Sequence, residues 1–83
     1  MNNMTLYQII EKMQYDNFGT FIRKEREKLG LTLNQFCFDN EIEPAMLSRI
    51  ENSKQDIKLG ALYKIAKGFN MTPAELLTKF EKA

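Results

Sequence analysis

The chain has 83 residues, of which 43% are hydrophobic and 28% charged, and its formal net charge is +1 at pH 7. These values are typical of one small globular domain and exclude a disordered or fibrous chain. The absence of histidine and the single cysteine exclude histidine-based catalysis, a Cys/His zinc site and an internal disulfide. We therefore expect neither an enzyme nor a bound cofactor or metal, and we expect Cys37 to be a small buried hydrophobe.

No segment approaches the roughly 20 apolar residues of a membrane-spanning helix, and the first ten residues lack the features of a secretory signal. We expect a cytoplasmic protein that does not contact a membrane. A carboxylate-based enzyme is the most distant alternative, because none of the acidic residues lies in an apolar stretch that would raise its pKa.

Residues 5–15 predict a short amphipathic helix. Thr5 is a potential N-cap, and Gln8 stands where it would complete a capping box. The apolar face of this segment consists of Leu6, Ile9, Ile10 and Met13. We expect this face to pack on its own domain or, as the alternative, to form a dimer contact.

The next segment predicts a longer helix. Asp16 or Asn17 can serve as its N-cap, and Gly30 stands where a C-terminal glycine belongs. Its apolar stripe consists of Phe18, Phe21, Ile22 and Leu29. Its lysines and glutamates alternate, which is typical of a solvated face: Lys24, Glu25, Glu27 and Lys28.

Two short helices follow. A capping box of Thr32 and Gln35 starts the first of them. Pro44, at the first helical position, starts the second, which we expect to end near Asn52. The apolar faces of these helices are Leu33, Phe36 and Cys37 in the first and Leu47 and Ile50 in the second.

The last part of the chain predicts two further helices. The first has a stop signal at residues 68–70, and the second starts at Thr72 and Pro73, with Glu75 completing a capping box. We expect the buried stripe of the first to be Leu59, Leu62, Ala66 and Phe69. Strand-like alternation is nowhere sustained, so the sequence predicts an all-α fold.

Three blocks occur in a fixed order within residues 18–77: "IRKEREKLGLTLNQFC", "LSRIENSK" and "LYKIAKGFNMTPAELL". The two short helices flank the turn "DNEIE", as in a helix-turn-helix motif. Together these blocks resemble the lambda-repressor-like, or Cro/Xre, family. The resemblance implies a compact five-helix repressor-like bundle over residues 18–80, with residues 1–17 as an extra helical extension and residues 81–83 as a tail.

The resemblance also implies that the helix starting at Pro44 enters the major groove of double-stranded DNA. Arg49 could then form a bidentate contact with guanine, while Ala45 and Met46 pack on a thymine methyl group. Ser48 lies beside them as a weaker candidate for base contact. For Met46, a partly exposed helix residue without a DNA contact is an equal alternative.

Phosphate contacts are implied around the same helix, at its end, in the loop after it and at the start of the preceding helix. The residues implied are Arg23, Thr32, Asn34, Asn52, Lys54 and Lys58. In this family, the glutamate of the "RIE" block pairs with an arginine of the first family helix. Here the resemblance implies a structural ion pair between Glu51 and Arg26.

Several positions depart from the family pattern. Leu33 stands where a glutamine commonly contacts phosphate and braces the recognition helix. Glu41 stands where the turn commonly has glycine, so that Glu41 or Asn40 must adopt left-handed torsions, which asparagine tolerates better. Glu43 and Lys58 replace capping serines, which leaves Asp56 as a substitute cap.

These observations predict a sequence-specific transcriptional regulator, repressor-like, that binds DNA as a homodimer in a salt-sensitive way. The two recognition helices would lie about 34 Å apart. The expected dimer contacts are Leu76, Leu77 and Phe80 of the last helix. The alternative is a repressor-fold protein-interaction module with weak or no DNA binding, such as an antitoxin-like protein that binds a toxin; Leu33, Glu43 and the near-neutral charge favour it.

Overall fold

The computed structural model describes residues 5–83, except for the side chains of residues 7–16. It contains five helices in this range: α1 (Leu6–Lys28), α2 (Leu33–Asn40), α3 (Pro44–Glu51), α4 (Leu59–Gly68) and α5 (Pro73–Lys82). Residues 5–83 contain no strand, which confirms the predicted all-α class. Within the same residues, no helix has the length and apolar content needed to cross a membrane.

The helix α1 is a single element where the sequence predicted two. It passes without a break through residues 15–17, so Asp16 and Asn17 are helical residues rather than N-caps. The physical reason is that the segment has no proline and no glycine before Gly19, and therefore nothing that ends a helix. The predicted break between two helices near residues 15–17 was therefore wrong. At the other end of the chain, α5 extends to Lys82.

The apolar face expected in the first half of α1 is only partly described. Leu6 is exposed, with 73% of its surface accessible, and therefore does not pack on the domain. The side chains expected to form the rest of the face, those of Ile9, Ile10 and Met13, lie outside the described side chains.

Capping chemistry accounts for the start of two helices. Thr32 and Gln35 form a complete capping box at α2, and Thr72 and Glu75 form another at α5, as predicted. At α3 and α4, the N-cap residues Glu43 and Lys58 form no side-chain cap bond. The expectation that Asp56 caps α4 was therefore wrong: the N-cap is Lys58 itself.

The helices α1 to α4 all end at a residue in the left-handed conformation. In each case a backbone amide after the helix donates to one of the last helical carbonyls, as in a Schellman motif. The left-handed residues are Gly30 (φ 72°), Glu41 (φ 56°), Ser53 (φ 59°) and Asn70 (φ 57°). At the turn between α2 and α3, the left-handed residue is thus Glu41 rather than Asn40. Its carbonyl also accepts a hydrogen bond from Lys64 Nζ at 3.1 Å.

The hydrophobic core draws residues from all five helices. Its members are Phe18, Phe21, Ile22, Phe36, Cys37, Ile42, Leu47, Ile50, Ile65, Ala66 and Leu76. Leu33, Leu62 and Phe69 of the predicted stripes are partly buried and pack against this core. Leu29 and Leu59 do not, because they lie at helix ends and are 52% and 68% exposed. In α4, Ala61 and Ile65 are buried instead.

The helix α5 is attached to α1 by aromatic and ionic contacts. Phe80 packs edge-on against Phe18, with ring centroids 5.0 Å apart, and lies 5.4 Å from the ring of Phe21. The carboxylate of Glu25 pairs with Lys28 at 2.8 Å and with Lys79 of α5. Glu25 is buried, so the expected solvated face was wrong for this residue.

Candidate nucleic-acid interface

The helix α3 packs against α1 and α2 and leaves one side at the surface. Leu47 and Ile50 point into the core, with 0% and 4% of their surface accessible. Ala45 and Arg49 are exposed. An eight-residue helix with this division can lie in a groove while its other face remains packed.

The other two residues expected to contact bases are half-buried. Met46 packs against the core, and Ser48 is intermediate in exposure. The carbonyl of Ser48 accepts a hydrogen bond from Asn52 Nδ2 at 2.8 Å. Ala45 and Arg49 are therefore the more accessible members of the expected set.

The backbones of α1 and α3 approach each other closely at Gly19. A Cβ atom at this position would overlap the carbonyl oxygen of Ile50 and would lie 3.0 Å from that of Glu51. Only glycine fits this approach. The close approach at Gly19 was not predicted from the sequence, although a glycine inside a helical pattern was the available signal.

Arg26 and Glu51 form a bidentate ion pair between α1 and α3. Arg26 donates Nε to Glu51 Oε2 at 2.8 Å and Nη2 to Glu51 Oε1 at 2.9 Å. Its Nη1 donates to the carbonyl of Leu31 at 2.9 Å. Both charged residues are buried, and the hydrogen bonds with Glu51 raise the pKa of Arg26. The carboxylate of Glu51 is thereby neutralised inside the fold and does not repel a nucleic acid.

Arg23 and Asn52 extend this ion pair to the surface. Arg23 Nη2 donates to Asn52 Oδ1 at 2.7 Å, and Arg23 Nε lies 3.5 Å from Glu51 Oε1. The backbone N–H of Asn52 donates to the carbonyl of Ser48. This N–H is used within the protein and is not available to a phosphate. The side chain of Arg23 remains 41% exposed, at the edge of α3.

The remaining phosphate candidates differ in accessibility. Asn34, Lys54 and Lys58 are exposed, the two lysines in the loop between α3 and α4. The N–H of Thr32 donates to Gln35 Oε1 at 3.0 Å, and its hydroxyl oxygen accepts from the N–H of Gln35. The capping box thus uses groups of Thr32 that we expected to be available to a phosphate.

The expected dimer contacts do not all lie at the surface. Leu76 is completely buried in the core of its own domain and cannot contact a second copy, so this expectation was wrong. Leu77 is 39% exposed, and Phe80 is half-buried against α1. Both line an open cleft between α1 and α5, which also contains Thr20 and Lys24.

The described residues do not contain a cluster of histidine, cysteine and acidic side chains that could hold a metal ion. Cys37 is buried, as predicted, and burial raises the pKa of its thiol. This residue is a packing residue of the core.

Comparisons with known proteins agree with this geometry. The helix-turn-helix family model matches residues 22–76, more than half of the chain. The control protein C.MunI from Mycoplasma sp is 35% identical over 66 residues, which cover 78% of this chain and 89% of that protein.

Solved structures share the fold. Two crystal structures of the clp gene regulator ClgR from Corynebacterium glutamicum match 83% of this chain, with TM-scores of 0.71 and 0.70 and 19% identity. The matches cover 73% and 88% of those chains. The family match and the identity to the control protein show the family, and the arrangement of α2 and α3 agrees with them. The chain therefore belongs to the lambda-repressor-like, or Cro/Xre, helix-turn-helix family of DNA-binding regulators.

Proposed function

We propose that the protein is a sequence-specific transcriptional regulator that inserts α3 into the major groove of double-stranded DNA. The observation that carries this proposal is the division of α3 into two sides. Leu47 and Ile50 anchor the helix in the core, while Arg49 lies on its exposed side. Such a regulator would act in the cytoplasm.

Arg49 is the proposed source of base specificity. A guanidinium can donate two parallel hydrogen bonds to O6 and N7 of guanine, which is worth about 1–3 kcal/mol of discrimination against other bases. Ala45 lies on the same exposed side and is small enough to let the backbone of α3 approach the bases. Its methyl group can pack on the methyl group of a thymine.

Phosphate contacts are assigned to side chains around α3. Lys54 and Lys58 are exposed in the loop that follows it, and Asn34 is exposed in the first turn of α2. The guanidinium of Arg23 lies at the edge of α3. Since each phosphate contact releases counterions, binding should weaken steeply with salt. Because Glu51, the acidic residue of α3, is paired internally with Arg26, it does not oppose the approach of this helix to DNA.

The proposed regulator acts as a homodimer. Leu77 and Phe80 line the cleft between α1 and α5 and are the proposed contacts. Two copies related by a two-fold axis would present their α3 helices to half-sites about 34 Å apart. Leu77→Lys should lower the mass measured by light scattering from that of a dimer to that of a monomer. Thr78→Lys, at the exposed neighbouring position, is the matched control.

Binding to DNA fragments that flank the protein's own gene tests the function. Fluorescence anisotropy at low ionic strength should detect salt-sensitive binding that Arg49→Ala weakens by about tenfold or more. Lys67→Ala removes the same charge from an exposed position on α4 and serves as the control. Equal losses in the two variants, or no binding to any fragment, would argue against base contact by α3.

A protein-interaction module of the same fold is the second candidate. It is favoured by Phe38, an aromatic side chain on α2 that is 87% exposed, and by the internal bonding of the Asn52 N–H. A toxin is one partner class of this kind. Co-purification with a stable protein partner, together with DNA binding that Arg49→Ala leaves unchanged, would favour this candidate.

A further inference from the structure

The loop after α3 turns back onto the exposed side of the helix. Ser53 is left-handed, and the N–H groups of Ser53 and Lys54 donate to the carbonyls of Ile50 and Arg49 at 3.1 and 2.8 Å. This Schellman-type end reverses the chain within two residues. It brings Gln55 beside Arg49, six residues earlier.

Gln55 contacts the side chain of Arg49 directly. Arg49 donates its Nε to Gln55 Oε1. Gln55 itself is half-buried and lines a small crevice together with Phe18, Gly19 and Ile50. The acceptor is therefore attached to the packed part of the domain, while the arginine that it holds is exposed.

We propose that Gln55 is a positioning residue that orients the guanidinium of Arg49 for base contact. This inference rests on the proposed function. Because Nε is engaged by Gln55, Arg49 presents its Nη1 and Nη2 groups to the groove. These two donors form a planar fork that matches O6 and N7 of guanine.

The physical effect of Gln55 is on selectivity. An unrestrained arginine has many rotamers and can also donate a single hydrogen bond to N7 of adenine or to a phosphate. Fixing Nε lowers the conformational entropy lost on binding and favours the bidentate geometry that only guanine accepts. Gln55 should therefore increase the preference for guanine at the position that Arg49 contacts. It should have less effect on affinity for DNA of unrelated sequence.

Selection from a library of randomised duplex DNA tests this role and does not require a defined operator. The wild type, Arg49→Ala, Gln55→Ala, Gln55→Glu and the double variant Arg49→Ala/Gln55→Ala are each used for selection, and the bound DNA is sequenced. The position at which Arg49→Ala loses a guanine preference defines the Arg49 contact. At this position, Gln55→Ala should reduce the guanine preference by about threefold to tenfold, a part of the discrimination that one bidentate contact gives.

The conservative variant separates positioning from folding. Gln55→Glu keeps an acceptor oxygen for Nε, so it should retain the guanine preference while weakening binding to all sequences through its negative charge. In the Arg49→Ala background, Gln55→Ala should cause no further change in base preference. A thermal unfolding curve for each variant shows that the fold is intact.

The results distinguish this inference from the function on which it rests. If the wild type enriches a sequence and Gln55→Ala keeps the same guanine preference, the proposed role of Gln55 is overturned, but the proposed DNA recognition is not. If the wild type enriches a sequence and Arg49→Ala shows the same base preference, the proposed roles of both Arg49 and Gln55 are overturned. Absence of any enriched sequence overturns the proposed function and the role of Gln55 with it.

Discussion

The guanidinium of Arg26 and the carboxylate of Glu51 face each other in a buried bidentate ion pair, with donor–acceptor distances of 2.8 and 2.9 Å. Arg26 lies on α1, and Glu51 is the last residue of α3. The pair therefore fixes the end of the proposed recognition helix relative to the longest helix of the domain. It also holds the carboxylate of Glu51, the one acidic residue of α3, inside the fold and away from the exposed side of the helix.

Removal of one partner of this pair should strongly destabilise the fold. Glu51→Ala leaves the buried charge of Arg26 without a carboxylate, and the free energy of unfolding should fall by about 3–5 kcal/mol. Urea denaturation followed by circular dichroism measures this change. Glu81→Ala, at an exposed position of α5, should change stability by less than about 0.5 kcal/mol. Similar values for the two variants would show that the pair does not stabilise the fold.

Gly19→Ala should destabilise the protein, although alanine is the better helix former. In an exposed helix, this substitution stabilises by up to about 1 kcal/mol. At Gly19, the new Cβ would overlap the carbonyl oxygen of Ile50 and force α1 and α3 apart. Gly60→Ala is the matched control on α4, because a Cβ there meets no atom within 4 Å. The two variants should shift the thermal midpoint in opposite directions, and a shift of the same sign would contradict the close approach of the helices.

Glu41→Gly should stabilise the protein. Glu41 has φ 56° and ψ 43°, a left-handed conformation that costs about 1–2 kcal/mol for a residue with a side chain. Glycine adopts it freely, although part of the gain is lost to the greater entropy of the unfolded chain. We expect a net gain of about 0.5–1 kcal/mol in urea denaturation.

The neighbouring residue provides the control for this prediction. Asn40 is the last residue of α2, and its Nδ2 donates to the carbonyl of Phe36 at 2.8 Å. Asn40→Gly should therefore destabilise the protein, since it removes this hydrogen bond and places glycine in a helix. Stabilisation by Asn40→Gly rather than by Glu41→Gly would mean that the left-handed residue was wrongly assigned.

Stability should depend on pH through Glu25. Burial raises the pKa of its carboxyl group, but the hydrogen bonds from Lys28 and Lys79 outweigh this effect, and the pKa lies below its usual value of 4.5. The group therefore stabilises the fold fully above pH 4.5, and this contribution is lost as the pH falls through the pKa of the folded state. Glu25→Gln should be less stable than the wild type at pH 7 and equally stable at strongly acidic pH.

Urea denaturation at a series of pH values measures this convergence. Glu27→Gln, at an exposed position on the same helix, is the matched control, and it should lower the stability at pH 7 less than Glu25→Gln does. A constant difference between Glu25→Gln and the wild type from pH 7 to strongly acidic pH would show that the ion pairs with Lys28 and Lys79 do not contribute.

Features that depend on residues close together in the chain could be predicted from the sequence. The capping boxes at Thr32 and Thr72 involve partners three residues away, and the faces of α2 and α3 follow from the helical period. Glycine at position 30 marked the end of α1 for the same local reason. The pairing of Arg26 with Glu51 did not come from the local pattern and was implied only by the family resemblance.

Which side chains are buried, and which polar groups remain available for binding, depends on how the helices pack against one another. Glu25 is buried and pairs with Lys79 of α5, more than fifty residues away in the chain, and Leu59 is exposed although it fits the apolar period. The close approach at Gly19 and the contact of Gln55 with Arg49 likewise depend on how the helices and the loop meet in space. The period of apolar residues shows which face of a helix is apolar. Whether that face is buried depends on contacts with residues far away in the chain, which the period does not report.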